Sequence, residues 1–156
     1  MIASRRVALS AVASLVLLAG GCSDQNSPAI VIEGGGFIFN YRIAEVFYGV
    51  SVKPMRKLAP GTVLEASFEN PAGGPPIQVT EPVTGDKVSY GLRTPALSGV
   101  KAERDYKVVV VARGPGGQEI GRAERTFRSA LDQEINPEKP LTVGPGYTPN
   151  PDLQTK

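Results

Sequence analysis

Acid–base, nucleophilic and metal chemistry have little to draw on here: the 156-residue chain contains no His, no Trp and a single Cys, Cys22. The commonest general base and the commonest metal ligand are missing, so Ser-His-Asp and Cys-His constellations cannot be built. One thiol also excludes an intramolecular disulfide. Carboxylates remain, among them Glu65, Glu69, Glu81 and Asp86. A glycosidase-like pair needs two acids roughly 5 to 10 Å apart in a cleft, which a thin small domain rarely provides. Their usual exposure favours solvated strand and loop charges. Glu81 and Asp86 give Ca²⁺ two oxygen-bearing side chains without a third. These residue types call for no cofactor and no metal.

The one residue placed for specific chemistry is Cys22. Met1 to Arg6 form a short basic stretch, and Val7 to Leu18 are twelve residues without a charge or proline. As a helix, twelve residues span only about 18 Å, short of the roughly 30 Å of a hydrocarbon core. The run therefore reads as the apolar region of an export signal, not as a transmembrane anchor. Small residues Gly20 and Gly21 lie just past the run, and Cys22 follows them directly. The alternative is an ordinary secretory signal cleaved nearby, with Cys22 an incidental thiol.

Leu18-Ala19-Gly20-Gly21-Cys22 resembles the lipobox of bacterial lipoproteins, although Leu commonly stands three places before the Cys and here Ala19 does. The resemblance implies cleavage between Gly21 and Cys22 and diacylglycerol on the Cys22 sulfur. Acyl chains contribute about 0.8 kcal/mol per buried CH₂, so two or more make attachment effectively permanent. In such lipoproteins an Asp after the Cys signals inner-membrane retention. Ser23 in that place points to the outer membrane, facing the periplasm, with Asp24 beside it. Loss of Arg5 and Arg6 with the leader leaves 15 basic residues against 15 acidic. That balance gives no electrostatic footprint for nucleic acid.

The elements behind this anchor read as strands. Gly and Pro supply 18 and 14 residues, well above average usage, and few windows have a helical period. The chain divides into a signal peptide (1–21), a lipidated Cys with its polar tether (22–28), a β-sandwich domain (29–130) and a proline-rich tail (131–156). Ala29 to Glu33 is a short first strand, and Gly34-Gly35-Gly36 reads as a flexible turn because no helix, Lys or Ser/Thr follows to make a phosphate cradle. Alternation from Phe37 through Val52 predicts one long bent strand or two strands broken near Ala44. Phe47, out of phase with Val46 and Tyr48, is expected to be buried on the second face or exposed as a contact. Further strands are expected at Val63 to Glu69, at Ile77 to Val83 on an edge because of Pro82, and at Val88 to Arg93. Tyr106 to Arg113, apolar on both faces, reads as central. In the last strand, Glu119 to Arg128, Gly121, Ala123 and Phe127 face inward. Arg122, Arg125 and Arg128 with Lys101, Arg104 and Lys107 would line a basic face, but interleaved Glu103, Asp105, Glu119 and Glu124 make ordinary surface alternation. Six to seven short strands predict an all-β fold, an antiparallel β-sandwich.

Val100, Tyr106, Val108, Val110 and Ala112, spaced V-x5-Y-x-V-x-V-x-A, resemble the last two strands of fibronectin type III domains. The likeness covers residues 97–128. It implies immunoglobulin-like topology with Tyr106 at a tyrosine corner, while the Trp usual in an early strand of that family is missing. The whole chain is similar to short proteobacterial lipoproteins that carry no assigned function, so the likeness supplies no activity. From Ile135 onward five prolines (Pro137, Pro140, Pro145, Pro149, Pro151) leave no strand or helix. This extended or disordered tail is either a solvated end or a segment that lies along a partner, with Tyr147 its one aromatic contact residue.

The expected function is a non-enzymatic binding or structural module of the cell envelope. Its partners are membrane lipid, through acylated Cys22, and an envelope protein that meets a sheet edge or the tail. The alternatives are a small carboxylate-based hydrolase or carbohydrate-acting enzyme, and a purely structural spacer.

Overall fold

The computed structural model describes residues 27–153. The expected signal segment and its expected cleavage point at Gly21, the expected lipidation site Cys22 and most of the expected tether lie outside the described residues. Alternating apolar side chains build two packed antiparallel sheets. One contains β1 (Ile30–Asn40), β2 (Glu45–Pro54) and β5 (Tyr90–Arg93), in the order β1-β2-β5. The other contains β3 (Val63–Phe68), β4 (Ile77–Pro82), β6 (Asp105–Arg113) and β7 (Glu119–Arg128), in the order β4-β3-β6-β7. The chain changes sheet between β2 and β3, between β4 and β5 and between β5 and β6. That is the Greek-key wiring of an immunoglobulin/fibronectin type III-like sandwich.

Because successive side chains point to opposite faces, each central strand gives one file to the core. Val46, Tyr48, Val50 and Val52 of β2 face Leu64, Ala66 and Phe68 of β3 and Tyr106, Val108, Val110 and Ala112 of β6, all buried. Each fully buried Val, Leu or Phe contributes about 1.5–3 kcal/mol. The expected central place of β6 holds, for it pairs with β3 on one side and β7 on the other. The expected edge strand at Pro82 is β4.

Three local expectations change. The glycine triplet is no turn: it lies within β1, paired with β2 from Gly34 opposite Ser51 to Gly36 opposite Gly49, after a bulge that leaves Glu33 unpaired. Cross-strand hydrogen bonds fix an extended backbone there that local composition does not demand. Of the two readings of the long alternating run, two strands broken near Ala44 is the one that holds: residues 41–44 form a hairpin turn, with Ala44 at φ 58°. Val88 is 79% exposed, and its strand starts only at Tyr90.

The tail, expected to hold no strand or helix, is folded. A 3₁₀ turn at Gln133–Ile135 is followed by β8 (Thr142–Val143) paired with β9 (Thr148–Pro149), and Pro151–Leu153 form a second 3₁₀ turn. Two-residue strands leave room for Pro145 between them and for Pro149 within β9, and Gly144 and Gly146 take positive φ in the hairpin loop. The Gln133 side chain holds residues 97–100, donating to the Leu97 carbonyl at 2.8 Å and accepting from the Val100 N–H at 3.2 Å.

Candidate functional site

Of the residues singled out in the sequence, Tyr147 is 78% exposed, yet its ring already has a partner within the chain: the Arg42 guanidinium lies 4.4 Å from its centroid. Arg42 stands in the β1–β2 turn, and its carbonyl accepts the Thr142 N–H at 3.1 Å. The tail hairpin is thus tied to that end of the sandwich.

The carboxylates are spread over separate ion pairs. Glu65 accepts from Arg113 at 2.6 Å, Glu69 from Arg104 at 2.8 Å, Glu81 stands 3.6 Å from Lys87 and Asp86 3.3 Å from Lys57. A groove of about 320 Å³ on the outer face of β3, β6 and β7 contains only Glu65 among acids, with Arg113 beside it. A smaller one, about 200 Å³, contains Asp86 between Lys57 and Lys87. Two carboxyls are moved from their ordinary range, and both move down: hydrogen bonds from Arg128 lower Asp105, and those from Arg122 lower Glu119. Among the described residues no three Asp, Glu, His or Cys side chains converge as a metal site would require.

The supposed basic face also divides. Arg122 and Arg128 sit on the outer side of β7 in ion pairs with Glu119 and Asp105. Alternation turns Arg125 to the other side. There its guanidinium donates to the Ile32 carbonyl at 3.0 Å and the Glu33 carbonyl at 2.7 Å, over the Phe127 ring. It satisfies the backbone that the β1 bulge leaves open.

At the centre of the core, Phe37 stacks on Tyr48 with centroids 4.6 Å apart, and Phe68 meets Tyr48 edge-on at 4.9 Å. Burial, reinforced by the negative charge of Glu69, pushes the Tyr48 hydroxyl well above the ordinary phenol range. The Tyr106 hydroxyl accepts the Lys101 N–H at 2.8 Å, the geometry expected of a tyrosine corner.

A concavity of about 580 Å³ lies on the outer face of β1, β2 and β5. Register brings its floor together: Gly34, Ser51 and Gly91 form one row across the three strands, and Gly36, Gly49 and Arg93 the next. Ile38, 50% exposed, closes the row beyond, opposite Phe47. The burial expected of Phe47 is found at 8% exposure, with the Arg93 guanidinium 4.5 Å from its ring centroid.

Only part of this glycine content is needed by the fold. Gly36 has φ +152° and needs its freedom, whereas Gly34 and Gly91 have ordinary φ and nothing within 4 Å of where a Cβ would stand. Gly49 would meet only the Leu92 carbonyl at 3.4 Å and Arg93 at 3.7 Å. A glycine in a strand costs roughly 0.5–1 kcal/mol relative to Ala and commonly marks close approach of another backbone or a ligand. Arg93 stands out electrostatically as well: among the described residues its side chain has neither an ion-pair nor a hydrogen-bond partner, and the trough lining contains no Asp or Glu.

Sequence reasoning missed this trough because it took the triplet for a loop. The available signal was the isolated Gly49 and Gly91 within alternating runs, but only strand register reveals that they are neighbours. No protein-family model matches the chain, and no curated protein matches it.

Proposed function

We propose that the chain is a lipid-anchored, non-enzymatic binding module of the cell envelope, held at the periplasmic face of the outer membrane through acylated Cys22. Its recognition surface is the glycine-floored trough, in place of a sheet edge or the tail. The observation that carries this reading is a floor with four glycines, most of them not needed by the fold, beside Arg93, which has no counter-ion among the described residues. The β1 and β4 edges and the tail support it less well. The β1 bulge carbonyls are already taken by Arg125, β4 contains proline, and the tail hairpin engages Arg42. Gly36 lies six residues along β1 from Ile30, so the trough sits about 20 Å from the strand end nearest the tether. A partner in the periplasm can reach it there.

The test places a photo-crosslinking residue at Gly91 and, as a control on the opposite sheet, at Thr126, in cells fed a labelled fatty acid. The expected result is acyl label on the wild type and none on Cys22→Ser, with a discrete envelope adduct from position 91 only. Equal adducts from both positions, or none, would remove the trough as the recognition surface. Acyl label that persists in Cys22→Ser would remove the anchor.

A further inference from the structure

Resting on the trough as the recognition surface, we infer that its occupant is an extended peptide segment bearing a carboxylate, laid over Gly34, Gly36, Gly49 and Gly91 with the carboxylate on Arg93. Four of the six floor positions are glycines, with Ser51 and Arg93 the others, which lets another backbone approach closely over the bare positions. From Gly34 to Ile38 is four residues of strand, about 13 Å, the reach of about four residues of extended peptide. A volume near 580 Å³ also falls within the roughly 300–1,000 Å³ of ligand sites.

The charge comes from Arg93. It lies in the row of Gly36 and Gly49, where the absent side chains leave the guanidinium accessible, and its planar fork matches a carboxylate in bidentate geometry. Phe47 below the guanidinium holds it in place, and no acid of the trough competes for it. A second copy of this chain is a poorer occupant. Two such faces laid together would bring Arg93 against a lining without acids, leaving both guanidiniums without a counter-ion. A glycan is poorer too, because the Phe47 ring is buried beneath Arg93 and Phe37 is stacked on Tyr48. Neither presents a bare aromatic face for a sugar ring.

The experiment uses the full-length protein in detergent and an array of linear octapeptides, each containing one Asp or Glu and each paired with its Asn or Gln counterpart. Affinities of the strongest binders are then measured by fluorescence anisotropy. The acidic members should bind at least ten-fold more tightly than their amide counterparts. Arg93→Gln should erase that difference, and Gly91→Leu should weaken both classes at least ten-fold while circular dichroism stays that of the wild type. Gly34→Leu supplies a second obstruction from the neighbouring strand.

Acid and amide peptides that bind alike, or binding unchanged in Gly91→Leu, would overturn the inference. So would a dimer in sedimentation that Gly91→Leu dissociates. If no peptide binds while the position-91 crosslink in cells persists, the peptide assignment alone fails and the binding-module reading stands; if the crosslink is absent as well, both fall.

Discussion

The hydroxyl of Tyr48 donates a 2.9 Å hydrogen bond to the backbone carbonyl of Tyr106, joining β2 of one sheet to β6 of the other across 58 positions of sequence. Tyr48 is fully buried, with Phe37 and Phe68 on its ring, so the bond lies where water cannot replace it. Tyr48→Phe keeps the ring packing and removes the donor. The expected loss is about 1–2 kcal/mol in urea unfolding, the usual range when a buried polar group loses its partner. A midpoint unchanged from wild type would show that the bond adds nothing net.

The same hydroxyl gives the fold an alkaline limit. Its proton is lost less readily in the folded state, because burial and Glu69 both disfavour the phenolate. The stabilisation is therefore complete below the unfolded-state pKa of about 10 and is lost as pH rises above it toward the folded-state value. Wild type should lose stability above pH 10 more steeply than Tyr48→Phe. Parallel pH profiles for the two proteins would contradict this origin.

Tyr106 holds the other polar contact of this kind, accepting the Lys101 N–H at 2.8 Å just before β6 begins. Tyr106→Phe leaves that N–H to find water or go unpaired, with an expected cost of about 1–2 kcal/mol. Amide hydrogen exchange at Lys101 should quicken in the variant more than exchange at Val110, which β6 keeps in mid-sheet.

The core follows closely from what the sequence displays. Val46, Tyr48, Val50 and Val52, then Leu64, Ala66 and Phe68, then Tyr106, Val108, Val110 and Ala112 alternate strictly, and each set is buried. Alternation is a local signal, legible one strand at a time. What eluded it depends on distant partners. Gly34 to Gly36 are extended because β2 lies alongside, and Arg125 faces inward because the β1 bulge carbonyls await it. The tail hairpin depends on Arg42, a hundred positions upstream of Thr142. The trough is the extreme case, since Gly36, Gly49 and Arg93 meet only through register, and no property of any one strand announces it.

Arg125 also tests whether a guanidinium can serve as a structural cap. It bonds two carbonyls, at 3.0 and 2.7 Å, where β1 breaks register. Charge-assisted bonds to backbone are worth about 1.5–3 kcal/mol when partly shielded from water. Arg125→Leu keeps apolar contact with Phe127 and abolishes both bonds, so a destabilisation of about 1–2 kcal/mol is expected in chemical denaturation. Exchange at the β1 amides next to the bulge should rise with it. Stability equal to wild type would mean that the bulge carbonyls are as well served by water.

Neighbouring glycines of β1 should respond oppositely to one added methyl group. A Cβ on Gly35 would lie 2.6 Å from the Gly49 carbonyl oxygen and 2.7 Å from a Val50 methyl, distances that only a shift of backbone can relieve. Gly34, one residue away, has ordinary φ and open space where its Cβ would stand. Gly35→Ala should therefore cost about 2 kcal/mol or more, within the range for overpacking a closed site. Gly34→Ala should leave stability unchanged or raise it by up to about 1 kcal/mol, because the unfolded chain loses freedom that the strand never used. Thermal unfolding of the two variants, measured side by side, decides the point. If Gly34→Ala destabilises as much as Gly35→Ala, the fold itself requires glycine at 34, and the bareness of the trough there needs no ligand to explain it.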